Sequence, residues 1–97
     1  MQSKNKKAPT VVEKRHIARV KSLPCSVCDA PGPSEAHEQK QGAWFTSVAL
    51  CSECHRDDNM GWHGQRRAWK IRKMEIGDAL DITLMRSFQI VENGGMF

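Results

Sequence analysis

The sequence predicts an α+β fold: one small domain of short strands and helices, held together by a bound metal. Three observations carry that prediction. All four cysteines fall in two Cys-x-x-Cys pairs, Cys25-Ser-Val-Cys28 and Cys51-Ser-Glu-Cys54, with residues 29–50 between them. A thiolate quartet at this spacing suits a tetrahedral zinc site, each pair gripping one side of the ion. Helical signals lie towards both ends of the chain, and an aromatic, β-branched segment leads into the second pair. Finally, 97 residues bury only a small core, which benefits from a metal staple.

The elements follow in order. Residues 1–9 are polar, carry Lys4, Lys6 and Lys7 and end in Pro9, so they read as a flexible basic leader. Thr10-Val-Val-Glu13 fits a capping box and starts a helix that should run to about Ser22, with Val12, Ile17 and Val20 as its apolar face. His16 lies on this helix, away from both cysteine pairs, and is expected at the surface or in packing. Residues 25–28 form a first knuckle, and Asp29-Ala-Pro-Gly-Pro-Ser34 is a turn. Glu35-Ala-His-Glu38 is expected as a short strand, and Trp44-Phe-Thr-Ser-Val-Ala-Leu50 as a second strand entering the second knuckle. Antiparallel pairing of the two brings His37 close to that knuckle.

Residues 55–64 are rich in turn formers. A helix over 65–76 follows, with Trp69 and Met74 available for the core. Gly77 should break it, and Asp78 should cap a last helix whose core face is Leu80, Leu84, Phe88 and Val91. Asn93-Gly-Gly95 ends that helix. The domain therefore spans 10–93, with 94–97 as a tail, and there is no internal repeat.

Composition narrows the function. The polar start lacks the apolar stretch of a signal peptide, and no segment approaches the roughly 18 apolar residues of a membrane span. The cysteines are thus expected to be reduced and metal-bound in a cytosol, rather than paired as two disulfides in a secreted protein. Fifteen Lys and Arg against eleven Asp and Glu give a net charge of +4, and the sequence pI is about 9.1. Five cations, Arg66, Arg67, Lys70, Arg72 and Lys73, fall within 66–73. Such a cluster favours a polyanion such as nucleic acid, although a solvated helix face has the same composition.

Three histidines can carry chemistry: His37 in the first strand, His55 directly after the second knuckle, and His63 between Gly61 and Gly64. Catalytic metal sites commonly use three protein ligands and leave one position open. The plainer alternatives are an exposed His55, or His55 as a substitute ligand in the cysteine site, and a His63 that satisfies a local hydrogen bond.

Ala36-His37-Glu38, Leu50-Cys51-Ser-Glu-Cys54-His55 and Trp62-His63-Gly64 together resemble the ββα-metal motif of HNH endonucleases, a treble-clef-like arrangement. Among these, the chain is similar to the phage recombination-enhancement nucleases that depend on RecA filaments. The likeness runs from about His16 to the terminal helix. It implies a structural Zn2+ on Cys25, Cys28, Cys51 and Cys54, and a second, catalytic divalent ion (Mg2+, Mn2+ or Zn2+) on His37, His55 and His63. It also implies DNA as substrate, a RecA-type filament as partner, and the cytoplasm of a bacterial host. HNH sequences usually carry two polar residues in tandem at the first motif, a metal ligand and then the general base. Here the pair is His37-Glu38, without the second histidine. Glu38 as base, His37 as base with fewer ligands on the ion, and a DNA-binding relic without cleavage are the three readings this departure leaves. The favoured one is an active enzyme with His37 and Glu38 filling the motif jointly.

The leading expectation is therefore a metal-dependent DNA endonuclease in which Arg66, Arg67, Lys70 and Lys73 grip the phosphate backbone. Trp44 and Trp62 are expected in the core, with stacking on an exposed base as the alternative role. A zinc-stabilised module that binds nucleic acid without cutting is the main rival, followed by an accessory protein of a recombinase filament.

Overall fold

The structure, a computed structural model, describes residues 8–94; the basic leader up to residue 7 and the tail from 95 lie outside the described residues. Among the described residues it is a small α+β structure of four α-helices and one two-stranded sheet: α1 (Val11–Lys21), β1 (Glu35–His37), β2 (Val48–Leu50), α2 (Ser52–Arg56), α3 (Arg67–Ile71) and α4 (Ile76–Glu92). Among the described residues no helix is long and apolar enough to cross a membrane.

The capping box forms as expected. Thr10 Oγ1 accepts the Glu13 N–H at 3.2 Å and Glu13 Oε1 accepts the Thr10 N–H at 2.8 Å, satisfying two donors at the start of α1. The face that α1 buries is His16 and Val20, one helical turn apart. Val12 is one turn earlier, in the first turn of the helix, and stays 61% exposed. His16 is a packing residue, its ring 5.4 Å from that of Phe45.

β1 and β2 pair antiparallel in the register Glu35↔Leu50, Ala36↔Ala49, His37↔Val48. The strand expected over residues 44–50 is shorter than its composition suggests, because Trp44–Thr46 forms a 3-10 turn. Hydroxyl groups explain the difference. Thr46 Oγ1 donates to the Ala43 carbonyl at 3.1 Å and Ser47 Oγ to the Trp44 carbonyl at 2.7 Å, local bonds that compete with a sheet ladder. The three residues of β2 are fully buried and form the spine of the domain. Val48 and Leu50 join Cys25, Val27, Cys54, Trp69 and Ala79 in one core cluster, while Ala49 packs with Val20 and Leu23 in a second.

The helical second half departs from expectation in three ways. α2 carries the helix past Cys54 to Arg56, in a stretch that composition marks as turn. The helix expected over 65–76 is confined to α3, because Arg66 before it and Lys73 after it have left-handed backbones with φ of 59° and 55°. Gly77 does not break a helix but lies in the first turn of α4. The N-cap of α4 is Glu75, and Asp78 sits three residues inside, its Oδ2 accepting the Glu75 N–H at 2.8 Å.

The expected core stripe of α4 is also displaced. Its buried residues are Ala79, Thr83 and Ser87, whereas Leu80 and Leu84 are half-buried, and Phe88 and Val91 are 66% and 48% exposed. Small residues four apart make the buried face of α4, and Ala79 and Thr83 on it meet β2, where a polar group is needed. Thr83 Oγ1 donates to the Ala79 carbonyl at 2.8 Å and accepts the Ala49 N–H at 3.1 Å. Its single proton being used, it accepts a bond from the Ser26 hydroxyl at 2.6 Å. One buried hydroxyl thus joins α4, β2 and the first knuckle. Thr83→Val leaves the Ala49 N–H and the Ser26 hydroxyl without a partner, a cost of about 1–3 kcal/mol. Thermal melts of zinc-loaded protein should show Tm falling by about 5–15 °C, with Thr83→Ser losing much less.

Candidate metal centres

Two clusters of metal-binding side chains form side by side. In the first, the ligand atoms of Cys25, Cys28, Cys51 and Cys54 lie within 4.8 Å of one another. The four cysteines form no disulfide with one another, and Cys28 Sγ lies 3.7 Å from Cys51 Sγ. Each knuckle is closed by its own backbone. The Cys25 N–H donates to the Ala30 carbonyl at 2.9 Å, and Asp29, with φ of 61°, returns its N–H to the Cys25 carbonyl at 3.0 Å. The Val27 N–H points at Cys25 Sγ and the Cys54 N–H at Cys51 Sγ, each at 3.4 Å. Arg86 clamps the first knuckle, donating to the Cys25 carbonyl at 3.4 Å and to Asp29 Oδ1 at 2.7 Å. Arg72 donates to the Val27 carbonyl at 3.1 Å, so this member of the basic cluster is structural.

The thiols fit a cation electrostatically. At Cys25 burial opposes the charged form, but backbone N–H groups at Cys28, Cys51 and Val27 outweigh it and pull the pKa down. Burial, together with the negative charge of Cys25, pushes Cys51 and Cys54 up. One thiolate thus raises the cost of the next, a conflict that a divalent cation removes as it displaces their protons.

The second cluster is His37, His55 and His63, whose ligand atoms also lie within 4.8 Å of one another. The ring centroids form a nearly equilateral triangle with sides of 5.0, 5.1 and 4.9 Å. β1 delivers His37 and α2 delivers His55. His63 arrives on the loop after α2, where the Trp62 N–H donates to the Cys54 carbonyl at 2.9 Å and the His63 N–H to the His55 carbonyl at 3.2 Å. That loop passes so near the chain after α2 that a Cβ on Gly64 would stand 2.6 Å from the Asp57 carbonyl oxygen. Only glycine fits such an approach.

Glu35 orients the cluster. Its Oε1 accepts from His55 Nδ1 at 2.7 Å and from Arg56 Nε at 2.9 Å. With the proton held on Nδ1, His55 turns its Nε2 lone pair towards His37 Nδ1, 3.0 Å away. Two imidazole nitrogens this close share either a proton or a cation. Burial, and then the neighbouring His55 and His63, lower the pKa of His37 to about 4, so its ring is neutral and ready to ligate near pH 7.

The sequence-predicted residues thus assemble unevenly. The four cysteines converge, as do the three histidines. Glu38 follows β1, half-buried, and its Oε1 accepts the Gly42 N–H at 2.9 Å. It lies near enough for its charge to oppose the lowering of the His37 pKa. Arg66, Lys70 and Lys73 line one cleft with Trp62, whereas Arg67 is exposed outside its lining. Trp44 is half-buried in the 3-10 turn. Sequence reasoning overlooks Arg86, the orienting role of Glu35 and the structural role of Arg72, which it counts only among the basic cluster. Only Glu35 has a sequence signal, since residues two apart in a strand share a face and Glu35 therefore lies beside His37. No family model, curated protein or solved structure matches the chain.

Removing a thiol tests the first cluster. Cys54→Ser should abolish stoichiometric zinc uptake by metal analysis, and chelation of the wild type should unfold it cooperatively by circular dichroism. The second cluster has a pH signature. The folded state binds fewer protons at His37 than the unfolded chain between 6.5 and about 4. The stability from neutral His37 is therefore complete above 6.5 and is lost as pH falls towards 4. Between about pH 7 and about pH 5, wild type should lose about 2 kcal/mol more than His37→Gln, read by urea unfolding.

Proposed function

We propose that the protein is a metal-dependent endonuclease of the HNH type, hydrolysing DNA phosphodiesters on a ββα-metal, treble-clef-like scaffold. The observation that carries this reading is the histidine triangle: three imidazoles from β1, α2 and the following loop, with ligand atoms within 4.8 Å of one another. Three protein donors are the number that catalytic, rather than structural, metal sites use. The cysteine cluster supports the reading as its scaffold, because a structural Zn2+ there fixes Cys54 and, with it, His55.

A divalent ion (Mg2+, Mn2+ or Zn2+) held by His37, His55 and His63 would withdraw charge from the scissile phosphate and stabilise the leaving oxygen. Glu35 keeps His55 in the tautomer that offers Nε2. His37 is buried within the ligand set, so the first motif divides its work: His37 binds and Glu38 is the base. The Glu38 carboxylate takes a proton from the attacking water as its oxygen bonds to phosphorus and the bond to the leaving oxygen breaks. The Gly42 N–H steadies that carboxylate from the loop beyond β1. Arg66, Arg67, Lys70 and Lys73 hold the flanking phosphates.

A nicking assay with Mg2+, Mn2+ or Zn2+, with and without a RecA-type filament, tests the proposal. Wild type should nick DNA. His55→Ala should lose cleavage while retaining the cysteine-bound zinc, and Glu38→Gln should fall by about 100-fold or more. Glu35→Gln should need a higher ion concentration, about tenfold or more. Failure of the wild type to cleave under all these conditions would remove the enzyme reading, and full activity in Glu38→Gln would remove the base.

A further inference from the structure

A cleft of about 440 Å³ is lined by Trp62, Arg66, Lys70, Lys73, Met74 and Glu75 over the buried ring of Trp69. Trp62 is next to His63 in the chain, so one wall of the cleft belongs to the loop that carries a histidine of the triangle. Its walls combine two kinds of chemistry. The Arg66 guanidinium lies over the Trp62 ring, its Cζ 3.7 Å from the ring centroid, and is fixed by a 2.9 Å bond from Nε to the Trp62 carbonyl. That gives a preorganised planar stack. The exposed ammonium groups of Lys70 and Lys73 belong to the same cleft. The one carboxylate in the lining, Glu75, is the N-cap residue of α4.

Backbone strain marks the same place. Among the described residues, three non-glycine residues have positive φ, and two of them, Arg66 and Lys73, are cations of this lining. They bracket α3 at its two ends. Left-handed backbone is costly for residues with a Cβ, and such strain persists where the surroundings or a function demand it. Here it turns two cations from opposite ends of one short helix onto a single cleft.

We infer that this cleft holds one unpaired nucleotide of the DNA strand, its base on the Arg66–Trp62 stack and its phosphate between Lys70 and Lys73. The inference rests on the nuclease reading for its choice of DNA. A base within a duplex has its faces covered by its neighbours, so a planar stack in a concave cleft selects bases that are unstacked. The backbone cations are indifferent to strandedness; the stack supplies the discrimination. The nucleotide it holds adjoins the phosphate presented to the histidines.

The test compares binding of a short labelled oligothymidylate with that of a hairpin duplex of matched length, by fluorescence anisotropy without added Mg2+ or Mn2+. Wild type should prefer the single strand by about tenfold. Arg66→Gly keeps the left-handed backbone but removes the guanidinium, and Trp62→Phe shrinks the platform beneath it. Both should reduce that preference severalfold, with zinc content unchanged. Lys70→Ala and Lys73→Asn should each lower the slope of log affinity against log salt by about 0.7 for the single strand. Equal affinity for the two DNA forms, no binding to either, or an unchanged preference in both Arg66→Gly and Trp62→Phe would overturn the inference. Nicking is scored separately. A protein that selects single strands but never cuts loses the nuclease reading and keeps the cleft. One that cuts while binding both forms equally keeps the nuclease and loses the cleft.

Discussion

The carbonyl of Cys54 accepts two hydrogen bonds, from the Trp62 N–H and from Trp69 Nε1, both at 2.9 Å, and the second half of the molecule hangs on it. The same residue gives its thiol to the cysteine cluster and is followed in the chain by His55. Through its oxygen it holds the loop that brings His63 back, and it holds the indole on which α3 is seated. A domain with a two-stranded sheet and a small core has few ways to fix a loop in place. Here one peptide group does so for both clusters of candidate ligands, and its own residue is one of the four cysteines that converge.

The sheet is as short as its purpose allows. Three residues in each strand suffice to place His37 opposite Val48 and Glu35 opposite Leu50, immediately before the second knuckle. Since alternate residues share a face, the register that aligns His37 with the other histidines also brings Glu35 to His55. A shift by one residue would turn both side chains to the wrong side. The fully buried β2 prevents that slip, because it is enclosed between the cluster around Cys54 and Trp69 and the one around Val20 and Leu23.

Much of the site was legible in the sequence because its signals are chemical and local. Cysteine spacing marks both knuckles, the Thr10 and Glu13 pair marks the start of α1, and the three histidines stand out against a background with few others. What sequence patterns misjudge are places where a small polar group outweighs a greasy one. The α4 stripe of Leu84, Phe88 and Val91 is the most apolar, but the buried residues are Ala79, Thr83 and Ser87, of which Ala79 and Thr83 lie against β2, because close approach there needs small side chains and a hydroxyl. Similarly, the strand expected over 44–50 loses its first half to the hydroxyls of Thr46 and Ser47. The left-handed turns at Arg66 and Lys73 carry no glycine or asparagine to announce them, so α3 reads as longer than it is. His37, His55 and His63 are well separated along the chain, and their convergence in space is a fact of the fold that a linear pattern does not show.

Trp69 gives this arrangement an optical consequence. Its ring is almost wholly buried, and its Nε1–H is bound to the carbonyl of a metal-site cysteine. Indole emission depends on the polarity around the ring and on the partner of that N–H. The chromophore is therefore wired to the state of the second knuckle, and any loosening of Cys54 alters its surroundings before the outer helices need respond. A cation taken up by the four thiols would therefore be readable from the domain's own indole, without label or chelating dye.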